Sequence, residues 1–103
     1  MYQNIEVINN FFSQKNDRLL LINKINDEIG ILYINIINYF AQKNNIKINF
    51  ISDLKEMTNN NDLFDLTKIY VLNISNKKTL EQIMGSENQV IALTDYKIFK
   101  QYQ

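Results

Sequence analysis

The chain has no cysteine and no histidine among its 103 residues. The first absence excludes disulfides and thiolate metal sites and fits a reducing cytosol. The second removes the usual general base, the usual zinc ligand and the ordinary near-neutral pH switch. Charge of one sign is also lacking: eleven basic residues balance eleven acidic ones. No net field draws the chain to nucleic acid or an anionic membrane, so DNA contact is not indicated. Long apolar runs are missing too. The most apolar stretch, "IGILYINIINYF", covers only about 12 residues and holds two asparagines, too short and too polar to span a bilayer. "MYQNIEVINNFF" has neither a basic n-region nor an uninterrupted apolar h-region, so it does not read as a signal peptide. The expectation is a soluble, intracellular, cytoplasmic protein.

What is present suits one globular domain spanning residues 1–103. The hydrophobic fraction is 46% and the charged fraction 21%, and a chain of this length buries about two thirds of the surface it exposes when unfolded. Abundant Ile, Asn and Lys, all encoded by A/T-rich codons, point to an A/T-rich genome. Ile5, Ile8, Phe11 and Phe12 form a helical stripe over residues 3–14. "RLLLIN", residues 18–23, reads as a strand buried on both faces. Asp27 is placed to cap a long helix whose stripe is Ile29, Leu32, Tyr33, Ile36, Ile37 and Phe40, ending near "QKNN" with Lys43 suited to its C-terminal dipole.

"IKINFI" alternates Ile46, Ile48 and Phe50 with polar residues, the period of a half-buried strand. "SDLKEM" can begin a helical turn at Ser52, and "TNNND" follows as a loop. "KIYVLNI", residues 68–74, is the strongest strand signal in the chain. Ser75 is placed to cap a helix with Leu80, Ile83 and Met84 on one face and Gly85 just past its end. "QVIALT", residues 89–94, is a fourth strand, and "YKIFKQYQ" can begin a last helix. Such alternation predicts a three-layer α/β fold, a mainly parallel four-stranded sheet flanked by helices and joined by right-handed crossovers.

Parallel sheets invite phosphate at the turn after the first strand. Here that turn is "NKINDEIG", without G-x-x-x-x-G-K-[ST] or G-x-G-x-x-G, and Asp27 and Glu28 repel an anion. A phospho-acceptor receiver needs gathered carboxylates, yet the central strand ends in Asn73, and Asp53 and Asp95 stand alone. Ser13, Ser52, Ser75 and Ser86 have no histidine to activate them. Asp62 and Asp65 flank an apolar pair and read as a solvated turn rather than an acid/base couple, and Lys77-Lys78 as ordinary surface. No catalytic residue, cofactor or metal is assigned.

The remaining signal is Leu63-Phe64 within "NNNDLFDLTKIY". The pair is either the first inward-facing part of a strand or an exposed anchor. Two such side chains in a partner's pocket, at about 1.5–3 kcal/mol each, supply a large part of micromolar binding. The run "RLLLINKINDEIGILYINIINYFAQKNN", then "IKINFIS", "DLFDLTKIYVLNI" and "ENQVIALTDYKIFK", resembles the N-terminal domain of the delta subunit of the bacterial DNA polymerase III clamp loader. That domain is a degenerate, AAA+-like P-loop fold without a functional Walker A. The resemblance covers roughly residues 5–101, in short motifs whose order and spacing carry it.

It implies that Leu63 and Phe64 enter the hydrophobic pocket of the ring-shaped sliding clamp (the beta subunit), with Asp62 where the family often has Ser. It also implies a part in DNA replication within the polymerase III holoenzyme, alongside other clamp-loader subunits and without nucleotide hydrolysis by this chain. Lys97 and Lys100, in "TDYKIFK", match the family's pattern at the ending of its fourth strand. There are two departures. The interval between "NFIS" and "DLF" is shorter than the family's, and Gln103 precedes the family's fifth core strand, lid and collar. In the family's strand order, 5-1-4-3-2, the edge then left open is that of "RLLLIN". With Leu63-Phe64 outside the core, the strand proper is expected to begin at Lys68. The alternatives are a small Rossmann-like enzyme or receiver domain, and an interaction domain that oligomerises through an open sheet edge.

Overall fold

A computed structural model of the chain describes residues 2–14, 17–51, 68–84 and 88–102. Its elements are α1 (Tyr2–Ser13), β1 (Leu19–Asn23), α2 (Asp27–Lys43), β2 (Lys47–Phe50), β3 (Lys68–Ile74), α3 (Lys77–Ile83), β4 (Gln89–Thr94) and α4 (Tyr96–Gln101). The four strands form one sheet in the order β1-β4-β3-β2, and every pairing is parallel. The expected α/β class and its parallel sheet are therefore observed. The expected turn at "SDLKEM" and Gly85 lie outside the described residues.

The topology explains the layers. The path from β1 to β2 crosses the sheet one way, whereas the step from β3 to β4 goes back the other way. Crossovers of one hand then put their helices on opposite faces. On the first face, α1 and α2 contribute Ile8, Phe11, Phe12, Tyr33, Ile37 and Phe40, which pack with Ile22, Ile69, Val71, Ile91 and Leu93. On the other, Leu80 and Ile83 of α3 and Ile98 of α4 pack with Tyr70, Leu72, Ile74, Val90 and Ala92. Successive residues of β3 and β4 thus feed opposite cores, as the two-residue strand period requires. All six residues of β4 are buried.

Several expectations need correction. Among the described residues β1 is an edge strand; Ile22 of its five residues is fully buried and the others are intermediate. Phe50, expected inward, is 49% exposed at the end of the other edge strand. Leu32 is exposed, because the covered arc of α2 runs through Gly30, Tyr33, Ile37, Phe40 and Ala41. Met84 does not share the inward face of Leu80 and Ile83; it is the C-cap of α3 and half exposed.

Gln89 fastens the far end of the sheet. Its side-chain amide donates to the carbonyl of Asp17 at 2.8 Å and reaches those of Phe11 and Gln14 at 3.4 Å. Those carbonyls belong to the last turn of α1 and the connection to β1, which have no ladder of their own. Gln89→Leu keeps the volume and removes the donor. We expect it to lower unfolding stability by about 1–3 kcal/mol, read as a lower urea midpoint at unchanged slope.

Gly30 is buried within α2, and an added Cβ meets the Lys24 side chain at 3.6 Å, ordinary contact. Gly30→Ala is expected to raise stability by roughly 0.5–1 kcal/mol, since a helix-interior glycine carries that entropic cost. Thermal denaturation measures it.

Candidate functional site

In open α/β sheets ligands bind outside the carboxyl ends of the strands, where neighbouring strands send their helices to opposite faces. Here that place lies between β1 and β4. Asn23 pairs with Thr94, and the Lys24 amide donates to the Thr94 carbonyl at 2.9 Å. From there α2 turns to one face and α4 to the other. Thr94 is fully buried, its hydroxyl reaching the Ile22 carbonyl at 3.4 Å.

Three side chains of this rim close helix N-termini. Asn26 Oδ1 accepts from the Ile29 amide at 2.9 Å, Asn76 Oδ1 from the Thr79 amide at 2.8 Å, and Asp95 Oδ1 from the Ile98 amide at 2.9 Å. The caps of α2 and α3 are thus Asn26 and Asn76, one residue away from the expected Asp27 and Ser75. Both displacements have one cause: Asn, Asp and Ser are all good caps, and the residue held in extended backbone just before the first turn takes the role. Asp27 and Glu28 instead occupy the first turn of α2, where they favour its dipole. Lys24 Nζ lies 3.5 Å from Asp27. A phosphate approaching this turn meets two exposed carboxylates, as the sequence implied.

The turn itself holds a feature that sequence reading missed. Ile25 has φ of 63° and is 59% exposed. The Asn26 amide donates to the Lys24 carbonyl across it, and the Ile25 amide donates to Asn23 Oδ1 at 3.1 Å. This is a γ-turn of the rare positive-φ kind, on a β-branched residue that resists it. The available signal was a strand-to-helix turn without glycine, beginning with an asparagine able to fold back on its own backbone. The rim therefore mixes capped amides with exposed apolar side chains: Ile25 after β1, Phe50 ending β2 and Tyr96 after β4.

The other candidates are dispersed. Asn73 is exposed at the end of β3, Lys77 and Lys78 are exposed in the first turn of α3, and Lys97 and Lys100 are exposed on α4 rather than on the fourth strand. The Ser13 hydroxyl donates to the Asn10 carbonyl at 3.1 Å, and Ser75 is exposed before the Asn76 cap. Leu63, Phe64 and Asp62, with Asp65, Asp53, Ser52 and Ser86, lie outside the described residues. Among the described residues no three acidic side chains gather as a metal site, and no helix is long and apolar enough to cross a membrane.

Comparison with protein-family models, with curated proteins and with solved structures finds no match.

The strained turn yields a test. Asn tolerates a left-handed backbone far better than Ile, as Asn45 at φ 57° illustrates in the same chain. Because the Ile25 side chain is mostly exposed, little packing is lost. Ile25→Asn is expected to raise stability by about 1 kcal/mol, the lower end of the strain carried by a residue held in a sparsely populated backbone region, measured by chemical denaturation.

Proposed function

We propose that the chain is a clamp-binding module that engages a ring-shaped DNA polymerase sliding clamp through Leu63 and Phe64 and favours the open ring. The observation that carries the reading is the strand order. An all-parallel β1-β4-β3-β2 sheet has the same sequence of neighbours as the first four strands in the 5-1-4-3-2 order implied by the resemblance to the delta subunit's N-terminal domain. Its β1–α2 turn supports the reading further, carrying Asp27 and Glu28 where a nucleotide-binding relative needs glycines and lysine.

In this reading the chain contributes binding energy only. The Leu63 and Phe64 side chains leave water for an apolar pocket on the clamp, with Asp62 immediately before them in the chain. Binding shifts the ring by no more than the difference in affinity for its open and closed states. In this reading no ATP or metal is needed in this chain. The setting is cytoplasmic DNA replication.

The test titrates the sliding clamp of the same organism with wild-type chain and with Leu63→Ala/Phe64→Ala. Micromolar binding by the wild type and a loss of at least about a hundredfold in the variant are expected, since about 3 kcal/mol of burial is removed. Equal binding by the two chains ends the proposal, as does a folded wild type that fails to bind at micromolar concentration. A double variant that unfolds identifies the pair as core and ends it equally.

A further inference from the structure

The sheet covers α2 along one arc only, through Gly30, Tyr33, Ile37, Phe40 and Ala41. The other side is not the polar face that a surface helix ordinarily turns to water. Ile31 is 61% exposed there, Leu32 47% and Tyr39 61%. A helix apolar all round is one that is covered all round.

Glu28, Leu32, Asn35, Tyr39 and Lys43 are all exposed and recur at steps of four, three, four and four residues. They form one stripe along the outer side of α2. The stripe is ordered by charge. Glu28 in the first turn closes one end, Lys43 in the last turn closes the other, and Leu32 and Tyr39 lie between them. Among the described residues neither Glu28 nor Lys43 is in an ion pair, whereas the neighbouring Asp27 has Lys24 at 3.5 Å. Tyr39 stands edge-on to Phe40, ring centroids 5.1 Å apart, and so meets a partner already ordered.

We propose that α2 packs antiparallel against α2 of a second copy about a twofold axis between Asn35 and Ile36. The occupant must offer a basic and an acidic group about 22 Å apart with apolar surface between them, and α2 read backwards is such a surface. With the axis there, Glu28 stands level with Lys43 of the second copy and Leu32 with Tyr39 of the second copy. The twofold repeats both pairs, so opposite charges close each end of an apolar middle. The same charges reject the other arrangements. A parallel pair sets Glu28 against Glu28 and Lys43 against Lys43, like charges in contact. Sliding an antiparallel copy by one turn sets Glu28 opposite Tyr39 or Lys43 opposite Leu32, leaving a charge against an apolar side chain. One self-complementary arrangement remains, the isologous contact of a twofold dimer. Two helices meeting along one stripe bury less than a standard interface, so the dimer is weak and concentration-dependent. It uses α2 alone and stands or falls independently of Leu63 and Phe64.

Sedimentation equilibrium at low salt, from low micromolar to near-millimolar concentration, is the test, with the mass expected to rise from 12.2 kDa towards twice that value. Leu32→Lys places a charge in the apolar middle, four residues after Glu28 where a lysine supports the helix. It is expected to hold the chain at the single-copy mass with its circular dichroism unchanged. Glu28→Lys and Lys43→Glu each set like charges at both ends and are expected to weaken association about tenfold. The double variant Glu28→Lys/Lys43→Glu restores opposite charges across the pair and is expected to recover association relative to either single variant, a response that a parallel pair cannot give. A wild type that stays at 12.2 kDa throughout overturns the proposal, as does a folded Leu32→Lys chain that dimerises like the wild type. If Leu32→Lys unfolds, the charge variants decide. Single reversals that leave association unchanged, or a folded double variant no better than the singles, reject the pairing.

Discussion

Everything else in this fold is arranged around the pairing of β4 between β1 and β3. All six residues of β4 are buried, so its backbone groups have no water and must find partners on both sides. The register Leu20–Ile91–Val71 and Leu21–Ala92–Leu72 supplies them and assigns alternate side chains to the two cores. Slipping any strand by one residue exchanges its two faces. On β4 the faces carry Ile91 and Leu93 against Val90 and Ala92, unequal in volume, so the helices above and below could not both be satisfied after a slip. The helices complete this sheet rather than define it.

A chain with two glycines and no proline has to make its turns by other means, and asparagine supplies most of them. Asn44 and Asn45 end α2. With Asn45 left-handed, its amide donates to the Gln42 carbonyl at 3.3 Å and the Ile46 amide to the Ala41 carbonyl at 2.9 Å, closing the helix in a Schellman arrangement that usually takes glycine. Asn23 folds onto the Ile25 amide, and Asn26 and Asn76 cap α2 and α3. Among the described residues the substitute fails only at Ile25, leaving a branched side chain in a conformation it resists. Asparagine enrichment therefore has structural consequences here whatever its origin in codon usage.

How much of this was legible follows from what local pattern can encode. β3 and β4 were read to the residue, because Val, Ile, Leu and Tyr packed on both faces leave an unbroken apolar signature bounded by polar residues. β1 carries the same signature, and a run of four apolar residues says nothing about whether a strand lies on its outer side. Its burial is therefore less than that signature predicts, although its place beside β4 fits the order expected from the resemblance. Leu32 fits the helical period, yet the period admits a wider arc than the sheet covers. The caps slipped by one residue because Asn26-Asp27 and Ser75-Asn76 each offer two competent side chains, and backbone angles choose between them. The γ-turn at Ile25 arises from the angle at which α2 leaves β1, a property of packing rather than of the residues in the turn.

The carboxyl rim also bears on where recognition takes place. Asn26, Asn76 and Asp95 are engaged with helix amides, Asn23 with its own turn, and Lys24 lies beside Asp27. A ligand arriving at the topological switch point would have to displace caps worth about 1 kcal/mol each before making a contact of its own. Apolar contacts carry no such cost. The exposed Ile25, Phe50 and Tyr96, the outer stripe of α2 and, in the proposed reading, Leu63 and Phe64 all offer interactions suited to another polypeptide rather than to a small charged ligand. Among the described residues, the polar groups of this rim are thus engaged mainly with their own helix ends and turns.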